Sequence, residues 1–197
     1  MANSEQAEGT HPPEGTRRDF LYIATAAVGG VGIALTLWPF ISQMNPDASV
    51  LALATIDVDI EPIAEGQSIT VNWRGSPVFI RHRVAQEIEA ARAVPIEDLP
   101  DRVARNANLA DAAPATDDNR VVEGREQYLV QIGICTHLGC VPLGQRSGDP
   151  LGDFGGWFCP CHGSHYDTAG RIRRGPAPEN LHIPPYEFLT DTLIRIG

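Results

Sequence analysis

The sequence contains no lysine, and all 15 of its basic residues are arginine. Against them stand 25 aspartate and glutamate residues, so the formal net charge at neutral pH is −10. Nucleic-acid binding depends on an excess of positive charge that neutralises phosphates, and this chain has the opposite balance. The composition therefore argues against a nucleic-acid partner and is typical of a soluble, acidic domain.

Charge of either sign is missing from one long stretch, Phe20 to Ser42. At about 1.5 Å per helical residue, this stretch can cross a hydrocarbon core of about 30 Å. A cleaved signal peptide has a shorter apolar core of about 7–15 residues, so we predict a retained transmembrane anchor over 20–43. Because Arg17 and Arg18 precede the anchor and the next basic residue is Arg74, the amino-terminal tail is expected in the cytoplasm and the head outside.

Cysteine is scarce, and its four copies lie in two short blocks, CTHLGC at 135–140 and CPCHGS at 159–164. Thiolate sulfur and imidazole nitrogen are the ligands of zinc sites and of some iron–sulfur clusters. Each block can supply one cysteine and one histidine as ligands. One cysteine per block then remains, and a disulfide between these two would join the loops.

Three kinds of site fit these residues. A structural zinc site would use two cysteines and two histidines, would leave Cys140 and Cys161 unexplained, and would need an unusually tight C-x-H spacing. Two disulfides would leave the histidines without a role. An iron–sulfur cluster accompanied by a disulfide uses every cysteine, and we favour this interpretation.

The two blocks together resemble the motif pair of the Rieske iron–sulfur proteins of quinol–cytochrome c reductases. The resemblance implies that Cys135 and Cys159 bind one iron of a [2Fe–2S] cluster. It implies that His137 and His162 bind the other iron. Two thiolates make the oxidised site about neutral, so an added electron costs less than with four thiolates. Reduction favours protonation of the outer ring nitrogens, which couples electron uptake to proton uptake.

The same resemblance assigns roles to residues around the cluster. It implies a disulfide between Cys140 and Cys161. Ser164 would donate its hydroxyl to a bridging sulfide, and Tyr166 would donate to a ligand cysteine sulfur. Both hydrogen bonds would stabilise the additional negative charge of the reduced cluster. Leu138, at the tip of the first loop, would contact the membrane cytochrome.

The segment TRRDFL at 16–21 resembles a twin-arginine export signal. The twin-arginine route carries folded proteins, which suits a cofactor that is inserted before export. A disulfide would indicate an oxidising compartment. We therefore expect a bacterial inner-membrane protein with a cytoplasmic tail (1–19), a single anchor and a periplasmic head.

The sequence pattern of the head, residues 56–197, predicts β strands separated by turns. The predicted strands are 56–60, 69–73, 78–83, 127–134, 166–167, 171–173, 181–183 and 193–196, and a short helix is predicted over 84–92. The resemblance implies an all-β head of stacked antiparallel sheets with a cluster-binding subdomain at about 130–178 and a helix–loop insertion. Residues 44–55 are expected to form a hinge linker, and 145–154 a surface excursion.

By resemblance, the function is that of the Rieske subunit of a bacterial ubiquinol–cytochrome c reductase, within a dimeric complex. His162 would accept a hydrogen bond and then a proton from ubiquinol. The partners would be cytochrome b and a c-type cytochrome, which the head would reach by moving. The main alternative is the anchored electron-transfer subunit of a periplasmic oxidase such as arsenite oxidase. A ferredoxin-type module of an aromatic-ring dioxygenase would lack the anchor and the disulfide cysteines.

Overall fold

The computed structural model of the chain describes residues 15–45 and 54–197. The chain divides into two compact units, Met1–Asp47 and Ala48–Gly197. Most of the expected cytoplasmic tail, residues 1–14, lies outside the described residues. So does most of the expected hinge, residues 46–53.

In the first unit, helix α1 spans Arg17–Ser42. Thr16 caps it, because the Thr16 side chain accepts a hydrogen bond from Asp19 N while the Asp19 carboxylate accepts one from Thr16 N at 2.8 Å. This reciprocal cap fixes where the helix begins. Within the described parts of the chain, α1 is the one helix long and apolar enough to cross a membrane. The sequence therefore predicted the apolar helix correctly, and the cap adds one turn before Phe20.

In the second unit, nine strands of the described head form three antiparallel sheets. The strands are β1 (Ile56–Asp59), β2 (Ser68–Trp73), β3 (Ser76–His82), β4 (Tyr128–Ile132), β5 (Gly155–Cys159), β6 (Ser164–Asp167), β7 (Ile172–Arg174), β8 (Tyr186–Phe188) and β9 (Leu193–Ile196). The sheet orders are β1–β9–β8, β2–β3–β4 and β5–β6–β7. The expectation of a mostly β head with stacked antiparallel sheets is confirmed.

The third sheet carries the second cysteine block, because β5 ends at Cys159 and β6 begins at Ser164. The first block follows β4 in the chain. Phe79 of β3 stacks on Trp157 of β5 with ring centroids 6.5 Å apart, which packs the second sheet against the third. Gly133 is needed beside this stack, since a Cβ there would lie 2.1 Å from the Phe79 ring. The fold thus brings both cysteine blocks to one end of the head.

The insertion, residues 84–124, has one helix, α2 (Ala85–Arg92), and two short 3₁₀ turns, Ile96–Asp98 and Asp118–Arg120. The predicted helix over 84–92 is confirmed, with Val84 as its cap. Most of the remaining insertion is irregular, so its backbone groups need partners outside a helix or sheet.

Three buried arginines bind the insertion, and two of them, Arg120 and Arg171, donate to its backbone carbonyl groups. Arg83 binds the Asp117 carboxylate at 2.5 Å and the Glu126 carbonyl at 2.6 Å. Arg171 donates to the carbonyl oxygens of Ala115 and Ala91. The third arginine, Arg120, donates to the carbonyl oxygens of Ala104, Ala169, Gly170 and Leu181.

Two parts of the strand prediction were wrong. Residues 181–183 do not form a strand; Ile183 makes a single bridge to Asn106 in the insertion. The nearby strand is β8, beyond the two prolines that follow Ile183. Strand β5 was not predicted, because its glycines and aromatic residues follow a glycine-rich connector and lack a two-residue alternation. The excursion at 145–154 contains no strand or helix, as expected.

Candidate metal centre

The two cysteine blocks fold as similar tight turns. The Cys135 carbonyl accepts a hydrogen bond from Gly139 N at 3.0 Å, and the Cys159 carbonyl accepts one from Gly163 N at 3.0 Å. Both glycines have positive φ, 83° and 76°, a conformation that residues with a side chain rarely adopt. Each turn therefore holds a cysteine and a histidine close together.

The four ligand candidates differ in exposure. Cys135 and Cys159 are free thiols, each 2% exposed. His162 is exposed, whereas His137 is half-buried. The two imidazole rings meet edge to face with centroids 4.6 Å apart. The structure therefore brings all four residues to one end of the head, with the sulfurs inside and the imidazoles nearer the surface.

One ring nitrogen in this group has an unusual environment. His137 Nδ1 is buried and has no hydrogen-bond partner within the described parts of the chain. A buried polar atom without a partner costs about 1–3 kcal/mol unless something else binds it. Coordination to a metal would satisfy this nitrogen. The donor set and this nitrogen therefore fit a group bound between the two turns.

The thiols interact with each other and with the backbone. Burial raises the pKa of Cys159, and the neighbouring Cys135 thiol raises it further. The backbone N–H groups of Cys161 and His162 act in the opposite direction, because they donate to the sulfur. The same N–H groups would donate to a metal-bound thiolate.

A disulfide joins Cys140 to Cys161, with a Cα–Cα distance of 6.8 Å. The ligand-forming atoms of these two cysteines and of Cys159 all lie within 4.8 Å of one another. Distance alone would make these three sulfurs a metal site. Two of them are joined in a disulfide, however, and thiolates are the form of cysteine that binds metals. We therefore do not assign a metal to this trio.

Two polar side chains adjoin the buried sulfurs. Tyr166 donates its phenol hydrogen to Cys135 Sγ at 3.3 Å, and burial followed by the Cys135 thiol raises the pKa of Tyr166. The phenol therefore stays protonated and can donate. Ser164 Oγ accepts a hydrogen bond from Ala177 N at 3.2 Å, which leaves its own hydrogen free for another acceptor.

The proline-containing loop 175–178 packs against the second turn. Gly175 has a φ of 112°, and a Cβ there would lie 2.5 Å from the Gly163 carbonyl oxygen. Thr136 holds the other end of the loop: its Oγ1 donates to the Glu179 carbonyl at 2.7 Å and accepts from Glu179 N at 3.3 Å. No role was predicted for Thr136 from the sequence, although its position between Cys135 and His137 was a signal.

The chain is similar to known proteins over its whole length. A family model described as "Rieske [2Fe-2S] domain" matches residues 59–187. The chain is 57% identical to "Ubiquinol-cytochrome c reductase iron-sulfur subunit" of Rhodospirillum rubrum, with all of both chains covered. It is 55% identical to the protein of the same name from Cereibacter sphaeroides, again with all of both chains covered. The chain belongs to the family of Rieske iron–sulfur subunits of ubiquinol–cytochrome c reductase.

Family membership settles the cofactor class and the general activity. The chain carries a Rieske-type [2Fe–2S] cluster and is a subunit of an oxidoreductase complex. A second family model, "Ubiquitinol-cytochrome C reductase Fe-S subunit TAT signal", matches residues 7–47 and confirms the predicted twin-arginine signal. A chain of a solved structure, "Hyperthermophilic respiratory Complex III", aligns with a TM-score of 0.46 and 22% identity over 87% of this chain and 98% of that one.

The structure and the relatives bear on the alternative sites and functions. The hypothesis of two disulfides is wrong, because Cys135 and Cys159 are free. The family match disfavours the structural zinc site, and the relatives' names favour the quinol reductase over a periplasmic oxidase. Leu138, the expected partner contact, is 71% exposed.

Proposed function

We propose that Cys135 and Cys159 bind one iron of the cluster and that His137 and His162 bind the other. The observation that carries this assignment is the buried Nδ1 of His137, which has no hydrogen-bond partner among residues 15–45 and 54–197. It lies on a turn that also holds one of the two buried thiols. When bound, the cluster supplies one-electron redox chemistry at a raised potential.

The surrounding donors would tune this chemistry. The Tyr166 phenol donates to Cys135 Sγ, and the free hydroxyl hydrogen of Ser164 is available to a bridging sulfide. The backbone N–H groups beside Cys159 add further donors. All of them favour additional negative charge, so they would raise the reduction potential.

His162 would be the contact for the substrate, which we propose to be ubiquinol. Its ring is exposed, and only one of its nitrogens is needed as a ligand. The outer nitrogen can accept a hydrogen bond from the quinol hydroxyl and then hold the proton as the electron is taken up. His137, which is less exposed, is the weaker candidate for this contact.

The exposed Leu138, which follows His137 in the first turn, would dock on cytochrome b, where quinol binds. The electron would leave to a c-type cytochrome after the head moves about the linker 44–55, within a dimeric complex. In this proposal α1 anchors the chain in the bacterial inner membrane. The arginine pair before α1 would keep the amino terminus in the cytoplasm and the head in the periplasm.

The first test is electron paramagnetic resonance of the purified full-length chain, reduced with ascorbate and then with dithionite. A Rieske-type signal that appears with ascorbate supports a cluster able to oxidise quinol. A signal that appears with dithionite alone contradicts the proposal. In native membranes, a quinol-site inhibitor should perturb the ascorbate signal.

The ligand assignment predicts that His162→Ala abolishes the cluster signal and quinol oxidation. His182→Ala is the matched control, since His182 is also exposed but pairs with Glu179 at 2.8 Å. The control should retain the signal and the turnover. Normal turnover in His162→Ala would disprove the assignment.

A further inference from the structure

Cys159 lies close to the disulfide as well as to Cys135. Its sulfur is within 4.8 Å of the sulfurs of both Cys140 and Cys161. Cys135 does not belong to this sulfur group, and its sulfur accepts the hydrogen bond of Tyr166. The two buried cysteines are therefore not equivalent toward the disulfide.

A cysteine thiolate can attack a disulfide sulfur, so that one sulfur–sulfur bond forms as another breaks. Iron coordination occupies the sulfur of a ligand cysteine and removes it from this reaction. We propose that Cys159, once released from iron, attacks the Cys140–Cys161 disulfide and converts cluster loss into a disulfide rearrangement. The inference rests on the proposed role of Cys159 as a ligand.

The expected point of attack is Cys140 Sγ. A new Cys159–Cys140 bond forms, the Cys140–Cys161 bond breaks, and the electron pair leaves on Cys161 Sγ, which takes a proton from water. No oxidant is consumed, since one disulfide and one thiol replace one disulfide and one thiol. Cys161 is an exposed leaving group. Attack on Cys161 instead would close a ring across a single residue, where short, stiff loops are unfavourable.

The product has a consequence for the cluster site. A Cys159 engaged with Cys140 cannot bind iron, so the rearranged head cannot take up a cluster until a reductant reopens the bond. After the exchange, the disulfide between the two loops would therefore prevent the site from binding a new cluster. The exposed thiol of Cys161 would mark heads that have lost their cluster.

The direct test follows the wild-type full-length chain in detergent as an anaerobic chelator removes its iron. Samples are quenched in acid, where thiols are protonated and exchange stops, then alkylated, digested and mapped by mass spectrometry. Cys159 and Cys161 lie on one peptide because a single residue separates them, so fragment ions of the linked peptides must distinguish the two disulfides. The Cys140–Cys161 disulfide should decrease and the Cys140–Cys159 disulfide should increase, with alkylated Cys161 appearing in equal amount. Retention of Cys140–Cys161 as the sole disulfide after complete iron loss would overturn the inference.

Two variants form a matched pair, because each removes one proposed ligand and one free thiol. Cys135→Ser keeps the proposed attacking residue and should contain the Cys140–Cys159 disulfide. Cys159→Ser should keep Cys140–Cys161, with Cys135 alkylated. The opposite outcome is that Cys135 forms a disulfide in the Cys159→Ser variant as often as Cys159 does in the Cys135→Ser variant. That result would contradict the proposal.

A further measurement separates this inference from the ligand assignment. In wild-type chain that still holds its iron, Cys159 should resist alkylation, and alkylation at that stage would refute its role as a ligand. If Cys159 is protected before iron removal and the disulfide is unchanged afterwards, the ligand role stands and the exchange alone is refuted. Rearranged protein should regain a cluster from iron and sulfide only after a thiol reductant is added.

Discussion

The two loops of the metal centre and the insertion are held in place by different means. The loops expose the groups proposed to act, Leu138 and His162, and rely on tight backbone turns, one disulfide and the proposed ligation of the cluster. The insertion is equally irregular, but buried guanidinium groups hold it. A site that must reach other molecules cannot bury its tip, whereas a supporting segment can bury its charges.

The chemistry of arginine explains why this residue suits the support of an irregular, buried segment. A guanidinium has five N–H donors in a rigid plane, so Arg120 can satisfy several carbonyl oxygens at once. A lysine ammonium has three donors on a flexible stem and is more strongly hydrated. Replacing these buried arginines by lysine would leave carbonyls unpaired. The absence of lysine from the sequence is thus consistent with the structure at three positions, and we offer no explanation at the others.

The largest effect is expected from Arg120→Met, which removes the donor to four buried carbonyl groups. Burial lowers the pKa of Arg120 to about 10, so the group is still charged at neutral pH. Since each unpaired buried acceptor costs about 1–3 kcal/mol, we expect a loss of at least about 3 kcal/mol in the free energy of unfolding. Urea unfolding followed by circular dichroism measures it.

Arg195→Met is the control for that experiment. Arg195 pairs with Asp57 at 2.8 Å on the surface, and exposed pairs contribute about 0–1 kcal/mol. Equal losses in the two variants would remove the distinction between buried and exposed arginines.

A second, smaller effect should come from replacing both Cys140 and Cys161 by alanine. The disulfide closes a loop with a sequence separation of 21, worth roughly 3 kcal/mol in the chain-entropy model. The proposed cluster ligands lie on the same two loops, so the actual loss should be smaller. We expect the cluster absorbance to disappear at a lower urea concentration than the circular dichroism signal. Coincident transitions would show that the loops and the insertion unfold as one unit.

Tyr166→Phe should lower the reduction potential of the cluster, and it should leave the stability of the insertion unchanged. It deletes the hydrogen bond to Cys135 Sγ. If the reduced cluster loses about 1 kcal/mol of stabilisation, the reduction potential falls by about 45 mV. A redox titration monitored by electron paramagnetic resonance would detect it. Tyr128→Phe, which alters a ring packed at a tilt against His82, should leave the potential unchanged, and an equal shift there would contradict this explanation.

The smallest effect concerns Asp101, which connects the insertion to Asn180. Burial opposes ionisation of Asp101, but hydrogen bonds from Arg105, Asn180 N and Val103 N outweigh it and lower the pKa. Because the folded pKa lies below the unfolded value, the stabilisation is complete above the unfolded pKa and is lost as pH falls through the folded one.

Asp101→Asn should therefore destabilise the head by about 1 kcal/mol at neutral pH, with a smaller difference in acid. Urea midpoints at several pH values measure this difference. A difference independent of pH would show that the carboxylate charge is not the cause.

The sequence revealed those parts of the structure that depend on local pattern. The apolar runs of α1 and β3 and the spacing within the two cysteine blocks were sufficient, because their residue types determine local geometry or chemistry. The contacts of Arg120 with Leu181 and of Thr136 with Glu179 join positions 61 and 43 residues apart. No periodicity marks such pairs, which is why the support of the insertion and of the loop 175–178 was missed.

The error at 181–183 has the same origin. Leu181 and Ile183 look like a strand because apolar residues alternate there, yet their backbone groups bond to two separate segments. Leu181 N donates to Gly170 O, whereas Ile183 N donates to Arg105 O and Ile183 O accepts from Ala107 N. Short apolar alternations therefore predict burial at these positions more safely than they predict a sheet.

The pairing of β1 with β9 has a consequence for the timing of folding. These strands are the first and last of the head, and their residues Asp57 and Arg195 lie 138 positions apart. Chains with such distant pairings have a high contact order and fold slowly, in about milliseconds to seconds. The ribosome must therefore release almost the whole head before its first sheet can close. A translocase that accepts only folded cargo would act on this chain after synthesis of β9, not during it.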